Sequence, residues 1–129
     1  MIVDTSALIA ILFDEPDAAH YTQLIYDADR CRISAATCVE FSLVVESQMG
    51  TDGLHQADMF LRRAGVVMEP FTADQAYIAR QAFHDYGKGR HPAGLNLGDC
   101  FAYALAKASG EPLLFKGGDF RKTDIVAAA

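Results

Sequence analysis

Four short strand-like runs, Met1–Val3, Arg32–Ser34, Val66–Met68 and Leu113–Phe115, are separated by stretches long enough for one or more helices. This alternation constrains the fold more than any other feature of the chain. Strands that alternate with helices are joined by crossovers, and crossovers lay neighbouring strands parallel. A parallel sheet needs cover on both faces. The expected class is α/β: a three-layer α/β/α sandwich around a mainly parallel sheet, forming a single domain over residues 1–129.

The intervening stretches carry helical signals. Ala7, Leu8, Ile11 and Leu12 fall at helical spacing. Pro16 stands where a second helix begins, with Leu24 and Ile25 on its apolar face. Ala36–Met49 predicts a helix with Val39, Leu43 and Val44 apolar, punctuated by Gly50 and Gly53. Residues 54–64 predict another, through Leu54, Ala57, Phe60 and Leu61. Ala73–Tyr86 is helical, and Gly87–Gly94 is a glycine-rich basic loop. Leu97–Ser109 is a strong helix that Gly110 stops, and Ile125-Val126 offers a last short strand. In open parallel sheets, sites form beyond the carboxyl ends of the strands. Asp4 and the Lys116–Asp119 turn both follow strands and fall there.

Composition narrows the classes. The longest unbroken apolar run, Ala7–Phe13, is far short of the roughly 18 residues that a membrane span needs. No basic segment precedes an apolar stretch at the N-terminus, so the expectation is a cytoplasmic protein without a membrane partner. Cys31, Cys38 and Cys100 contain no Cys-x-x-Cys pair, and the four histidines lack ligand spacing, so neither a disulfide framework nor a structural zinc site is supported. The net charge of −6 argues against a generic nucleic-acid binder. The charge is polarised, however: residues 1–61 hold ten acids and two bases, whereas residues 87–122 hold six bases and three acids.

Several carboxylates look misplaced for solvent. Asp4 directly follows an apolar strand, where capping the next helix is the competing role. Glu40 has Ala36, Thr37, Leu43 and Val44 as helical neighbours, so it faces at least partly inward or snorkels at an edge. Asp99 lies above a stripe of Ala102, Tyr103 and Ala106, and also suits a first-turn acid on the helix dipole, three residues after Asn96. Asp119 follows Gly117-Gly118, where aspartate is ordinary turn chemistry. A lone buried carboxylate costs several kcal/mol or becomes protonated. If these acids meet in one cleft, two charges about 4 Å apart repel by roughly 4 kcal/mol at an effective dielectric of 20. An oxygen-rich site of that kind suits Mg²⁺ or Mn²⁺, which can polarise a phosphodiester.

Four segments, in order, carry a resemblance. Ile2-Val3-Asp4-Thr5-Ser6-Ala7-Leu8 resembles the start of PIN domains, above all the VapC-type toxins of toxin–antitoxin pairs. Ile33–Glu40 resembles the second signature of that family, and Leu97–Ala106 is the most specific match. Leu113–Phe120 with Thr123-Asp124-Ile125 resembles its C-terminal block. The resemblance implies a Mg²⁺- or Mn²⁺-dependent endoribonuclease that hydrolyses RNA phosphodiesters in line, leaving 5′-phosphate and 3′-hydroxyl ends. It implies Asp4, Glu40 and Asp99 as metal-binding acids, with Thr5 and Ser6 as the polar pair supporting the first. Many relatives carry a fourth acid where this chain has Gly117; Asp119 replaces it from nearby, or the site has three carboxylates. It also implies a homodimer and a cognate VapB-type antitoxin that blocks the groove in a hetero-oligomer. Lys88 and Arg90 with His91, and Lys116, Arg121 and Lys122, are candidates for contact with the RNA backbone.

Two rivals compete with this reading. One is a PIN-like binding module without catalysis, which loss of Asp4, Glu40 or Asp99 would favour; all three are present. The other is a Mg²⁺-dependent phosphoryl-transfer domain of receiver or haloacid-dehalogenase type. That needs adjacent acids or Asp-x-Asp after the first strand, where this chain has Asp4-Thr5-Ser6.

Overall fold

The computed structural model describes residues 1–129. The elements run β1 (Ile2–Val3), α1 (Thr5–Leu12), α2 (Ala18–Asp27), β2 (Arg32–Ser34), α3 (Ala35–Arg63), β3 (Val67–Glu69), α4 (Ala73–Tyr86), α5 (Leu97–Ser109) and β4 (Leu113–Leu114), followed by a 3₁₀ turn at Phe120–Lys122. The four strands form one parallel sheet in the order β3-β2-β1-β4. From β1 the chain builds two strands outward on one side, then returns to add β4 on the other. The order therefore reverses between β1 and β4, and in open parallel sheets ligands bind beyond the carboxyl ends of the strands at such a switch point.

Alternation along the strands assigns the layers. Ile2 and Leu113, paired in register, point into a core with Ala79 and Ala82 of α4 and Cys100, Ala102, Tyr103, Leu105 and Ala106 of α5. Val3 and Leu114, the next pair, point to the opposite face, against Ala7, Leu8 and Ala10 of α1, Tyr21 and Ile25 of α2, and Phe41 and Val45 of α3. The result is the expected sandwich, with α1–α3 on one face and α4–α5 on the other. No helix is long and apolar enough to cross a membrane.

Three details differ from the reading of the sequence. Residues 35–63 form one helical element with a single break at Gly50 (φ 69°, ψ −166°), a conformation that glycine adopts without steric cost; Gly53 remains helical. The buried stripe of this helix is Thr37, Phe41 and Val45, so Val39 (60% exposed) and Leu43 (64% exposed) face outward. Phe41 and Val45 pack in the core with Val3, Leu8 and Leu114. Ile125-Val126 forms no strand. The C-terminal tail instead makes an isolated parallel bridge between Leu113 and Ala127, with Leu113 N donating to Val126 O and Ala128 N to Leu113 O.

Candidate functional site

At the carboxyl end of β1, beside the end of β4, stands Asp4. Its amide donates to Leu114 O at 2.9 Å, fixing the residue as the strand ends. Asp4 then caps α1: Oδ2 accepts from Ser6 N at 3.0 Å and from Ser6 Oγ at 2.6 Å. Ser6 Oγ in turn accepts from Lys116 N at 3.0 Å, which ties the cap to the end of β4. Asp4 is only 2% exposed, and its other oxygen, Oδ1, is buried without a partner. The cap role weighed from the sequence thus occupies one oxygen of the carboxylate and leaves the other without a donor. Burial pushes the Asp4 carboxyl up to about 7, against the Ser6 hydrogen bonds, and the charges of Asp99 and Glu40 add to the rise.

Asp99 repeats this pattern. Asn96 and Asp99 form a reciprocal capping box at the start of α5: Asp99 N donates to Asn96 Oδ1 at 2.9 Å, and Asn96 N donates to Asp99 Oδ2 at 3.0 Å. Oδ2 is thereby engaged. Burial pushes the Asp99 carboxyl above the usual carboxylate range, opposed by the Asn96 amide and reinforced by the charges of Glu40 and Asp119.

Glu40 reaches the same place from α3. Thr5 Oγ1 donates to Glu40 Oε1 at 2.6 Å. The carboxylate lies directly over Gly98: a Cβ at that glycine would stand 1.5 Å from Glu40 Oε2. Gly98 is the residue that sequence reasoning missed. Its one signal was a helix-disfavoured glycine inside the first turn of a strong helix, immediately before Asp99.

The remaining candidates separate. Asp119 is exposed at the start of the 3₁₀ turn, close enough for its charge to raise the Asp99 carboxyl. Lys116 is engaged elsewhere, its Nζ lying 2.5 Å from Glu15 Oε1 and 3.0 Å from Asp17 Oδ1. Lys88 and Arg90 are exposed on the loop after α4, with the Arg90 guanidinium 5.8 Å from the centre of the Phe83 ring. Arg121 sits over Phe115 at 5.4 Å and donates to Ala129 O.

Asp4, Glu40 and Asp99 therefore come from three distant segments and act electrostatically on one another. Each hydrogen bond to them uses one oxygen, and the second oxygen of Asp4 is orphaned in the interior. As they stand, no three acidic, histidine or cysteine side chains meet at a single coordination point. The donor set is all oxygen and anionic, and a hard divalent cation fits it.

Comparison with known proteins bears on these features together. The PIN domain family profile matches residues 1–126. Ribonuclease VapC30 of Mycobacterium tuberculosis is 52% identical over 130 residues, covering 100% of this chain and 98% of that protein. Ribonuclease VapC of Mycolicibacterium smegmatis is 53% identical over 127 residues, 98% of either chain. The crystal structure of Mycobacterium tuberculosis VapC20, described as a sarcin–ricin loop cleaving toxin, superposes with a TM-score of 0.78 at 18% identity, covering 97% of this chain and 95% of that one. VapBC2 from Rickettsia felis, solved bound to a DNA fragment from its promoter, superposes with a TM-score of 0.74 at 17% identity, covering 98% and 95%. These two likenesses are of fold. With the profile spanning nearly the whole chain and about half of all residues shared with named VapC ribonucleases, the chain belongs to the PIN-domain family, in its VapC group.

Proposed function

We propose that this chain is a divalent-metal-dependent endoribonuclease and the toxin of a toxin–antitoxin pair, folded as a single PIN domain over residues 1–129. The observation that carries the reading is the orphaned, buried Oδ1 of Asp4, under the charges of Asp99 and Glu40. A buried carboxylate oxygen without a donor is costly and requires a cation when ionised. Asp4, Glu40 and Asp99 would hold Mg²⁺ or Mn²⁺, with Asp119 as a fourth acid at the rim. The cation would supply Lewis-acid polarisation of the phosphodiester and a lowered pKa for the attacking water.

The residues of the chain do the rest. Ser6 fixes one face of Asp4, so the free oxygen has a single direction. Thr5 holds Glu40 above Gly98, and the absence of a side chain there lets the carboxylate approach the α5 backbone. The capping box orients Asp99. Lys88 and Arg90, exposed on their loop, would neutralise phosphates of the RNA. The names of the relatives support the ribonuclease reading, and the toxin–antitoxin complexes among the structural neighbours support a VapB-type antitoxin as partner. A homodimer and a cytoplasmic location complete the proposal.

The test is cleavage of a labelled structured RNA by the free protein in Mg²⁺, Mn²⁺ and EDTA, with Asp4→Asn and Asp99→Asn in parallel. Cleavage that needs metal, yields 5′-phosphate ends and is lost in both variants is expected. Undiminished cleavage in EDTA, or in both variants, overturns the assignment.

A further inference from the structure

Lys116 is the last residue with a side chain before the Gly117-Gly118 turn that carries Asp119. It is held at both its backbone and its side chain. Its amide donates to Ser6 Oγ at 3.0 Å, and that hydroxyl donates to Asp4 Oδ2 at 2.6 Å. Its ammonium lies between Glu15 and Asp17, in the turn between α1 and α2, at 2.5 Å and 3.0 Å. That turn opens with Asp14 in the left-handed region (φ 52°), which redirects the chain after α1. Beyond Lys116 the next anchored side chain is Phe120, buried against Phe115 with ring centres 5.1 Å apart. Between them lie two glycines, one at φ 101°, which have no side chain to fix their path.

We infer that Lys116 is a positioning residue, clasped by Glu15 and Asp17, that sets the Ser6–Asp4 hydrogen bonds and the path of the turn bearing Asp119, and that it does not contact RNA. The inference rests on the ribonuclease reading for its kinetic consequences, but the clasp itself is a property of the metal-free protein. The acids raise the Lys116 ammonium pKa, Glu15 chiefly, and Lys116 in turn lowers that of Asp17. The ion pair is about one-third exposed, so its contribution to overall stability is small. Its leverage is geometric: small displacements at a reacting centre cost up to about 10²-fold in rate.

The two roles of Lys116 make opposite predictions for the acids. The test compares Lys116→Met, Lys116→Arg and the double variant Glu15→Gln/Asp17→Asn. The measurements are kcat and KM for RNA, their salt dependence, the melting temperature, and hydrogen exchange of the Lys116 amide without metal. As a positioning residue, Lys116→Met and the acid variant each lower kcat by about 10-fold or more. KM and its salt slope stay unchanged, Lys116→Arg recovers most of the rate, and the melting temperature moves by no more than about 5 °C. Exchange at the Lys116 amide accelerates in both variants that break the clasp. As a phosphate contact, Lys116→Met raises KM and flattens the salt slope, whereas removing the acids frees the ammonium and lowers KM. That pattern overturns the inference, as does unchanged kcat with unchanged amide protection. If the wild-type chain cleaves no RNA, the ribonuclease reading fails separately, and the exchange measurement still decides the clasp.

Discussion

Replacing Asp4 with asparagine should make the metal-free protein more stable at neutral pH while abolishing its activity. Asp4 is 2% exposed, and burial lifts its carboxyl from the ordinary 3.8 to about 7. A carboxyl raised in the folded state contributes stability that is fully present below its unfolded pKa and is lost as pH rises through the folded value. Below about pH 4 both states hold the proton and nothing is lost. Between about 4 and 7 the unfolded chain releases the proton and the folded chain retains it, so stability falls steadily; above about 7 it is flat. The change amounts to about 4 kcal/mol across the window. Asparagine keeps an oxygen for Ser6 and does not titrate. The assay is urea unfolding of both proteins in EDTA between about pH 4 and pH 8. With a slope near 2 kcal/mol per molar urea, the difference between the two midpoints should change by ~2 M across the series. Adding Mn²⁺ at the alkaline end should restore the wild-type midpoint and leave Asp4→Asn unmoved, since a ligand stabilises only the state it binds. Parallel midpoints for the two proteins at every pH would refute the account of Asp4 as a buried carboxylate waiting for a cation.

Two further predictions follow from the geometry. Gly98→Ala places a methyl on the Glu40 carboxylate and should weaken Mn²⁺ binding by about 10-fold or more in calorimetry; because alanine favours the helix by about 1 kcal/mol, the melting temperature should hold or rise. Lys88→Gln with Arg90→Gln should raise KM for RNA with kcat unchanged and reduce the magnitude of the salt slope by about 1 to 2; an unaltered slope would remove that loop from the RNA path.

Much of the architecture was legible before any coordinates. Three-residue strands alternating with amphipathic stretches left a covered parallel sheet as the natural solution, and the bounds of β2, α4 and α5 agree with the sequence pattern. Local chemistry marked Asp4 and Asp99, because a strand-end aspartate and an Asn-x-x-Asp box are readable within a few residues. Periodicity named Val39, Leu43 and Val44 as apolar in α3 but did not pick out the stripe that is buried, Thr37, Phe41 and Val45. It also could not foresee that Lys116 would turn to Glu15 and Asp17, 101 and 99 positions away.

By itself, then, the amino-acid order determined the class of fold, the places where strands end in acids, and the kinship of the four segments, all of which depend on neighbours a few residues apart. Tertiary structure alone decided which oxygen of Asp4 is left without a donor, which glycine yields to Glu40, and which cation faces acids in place of solvent. Those outcomes depend on burial and on contacts between residues far apart in the chain. Burial sets the cost of an unpaired charge, and only the packed molecule determines it.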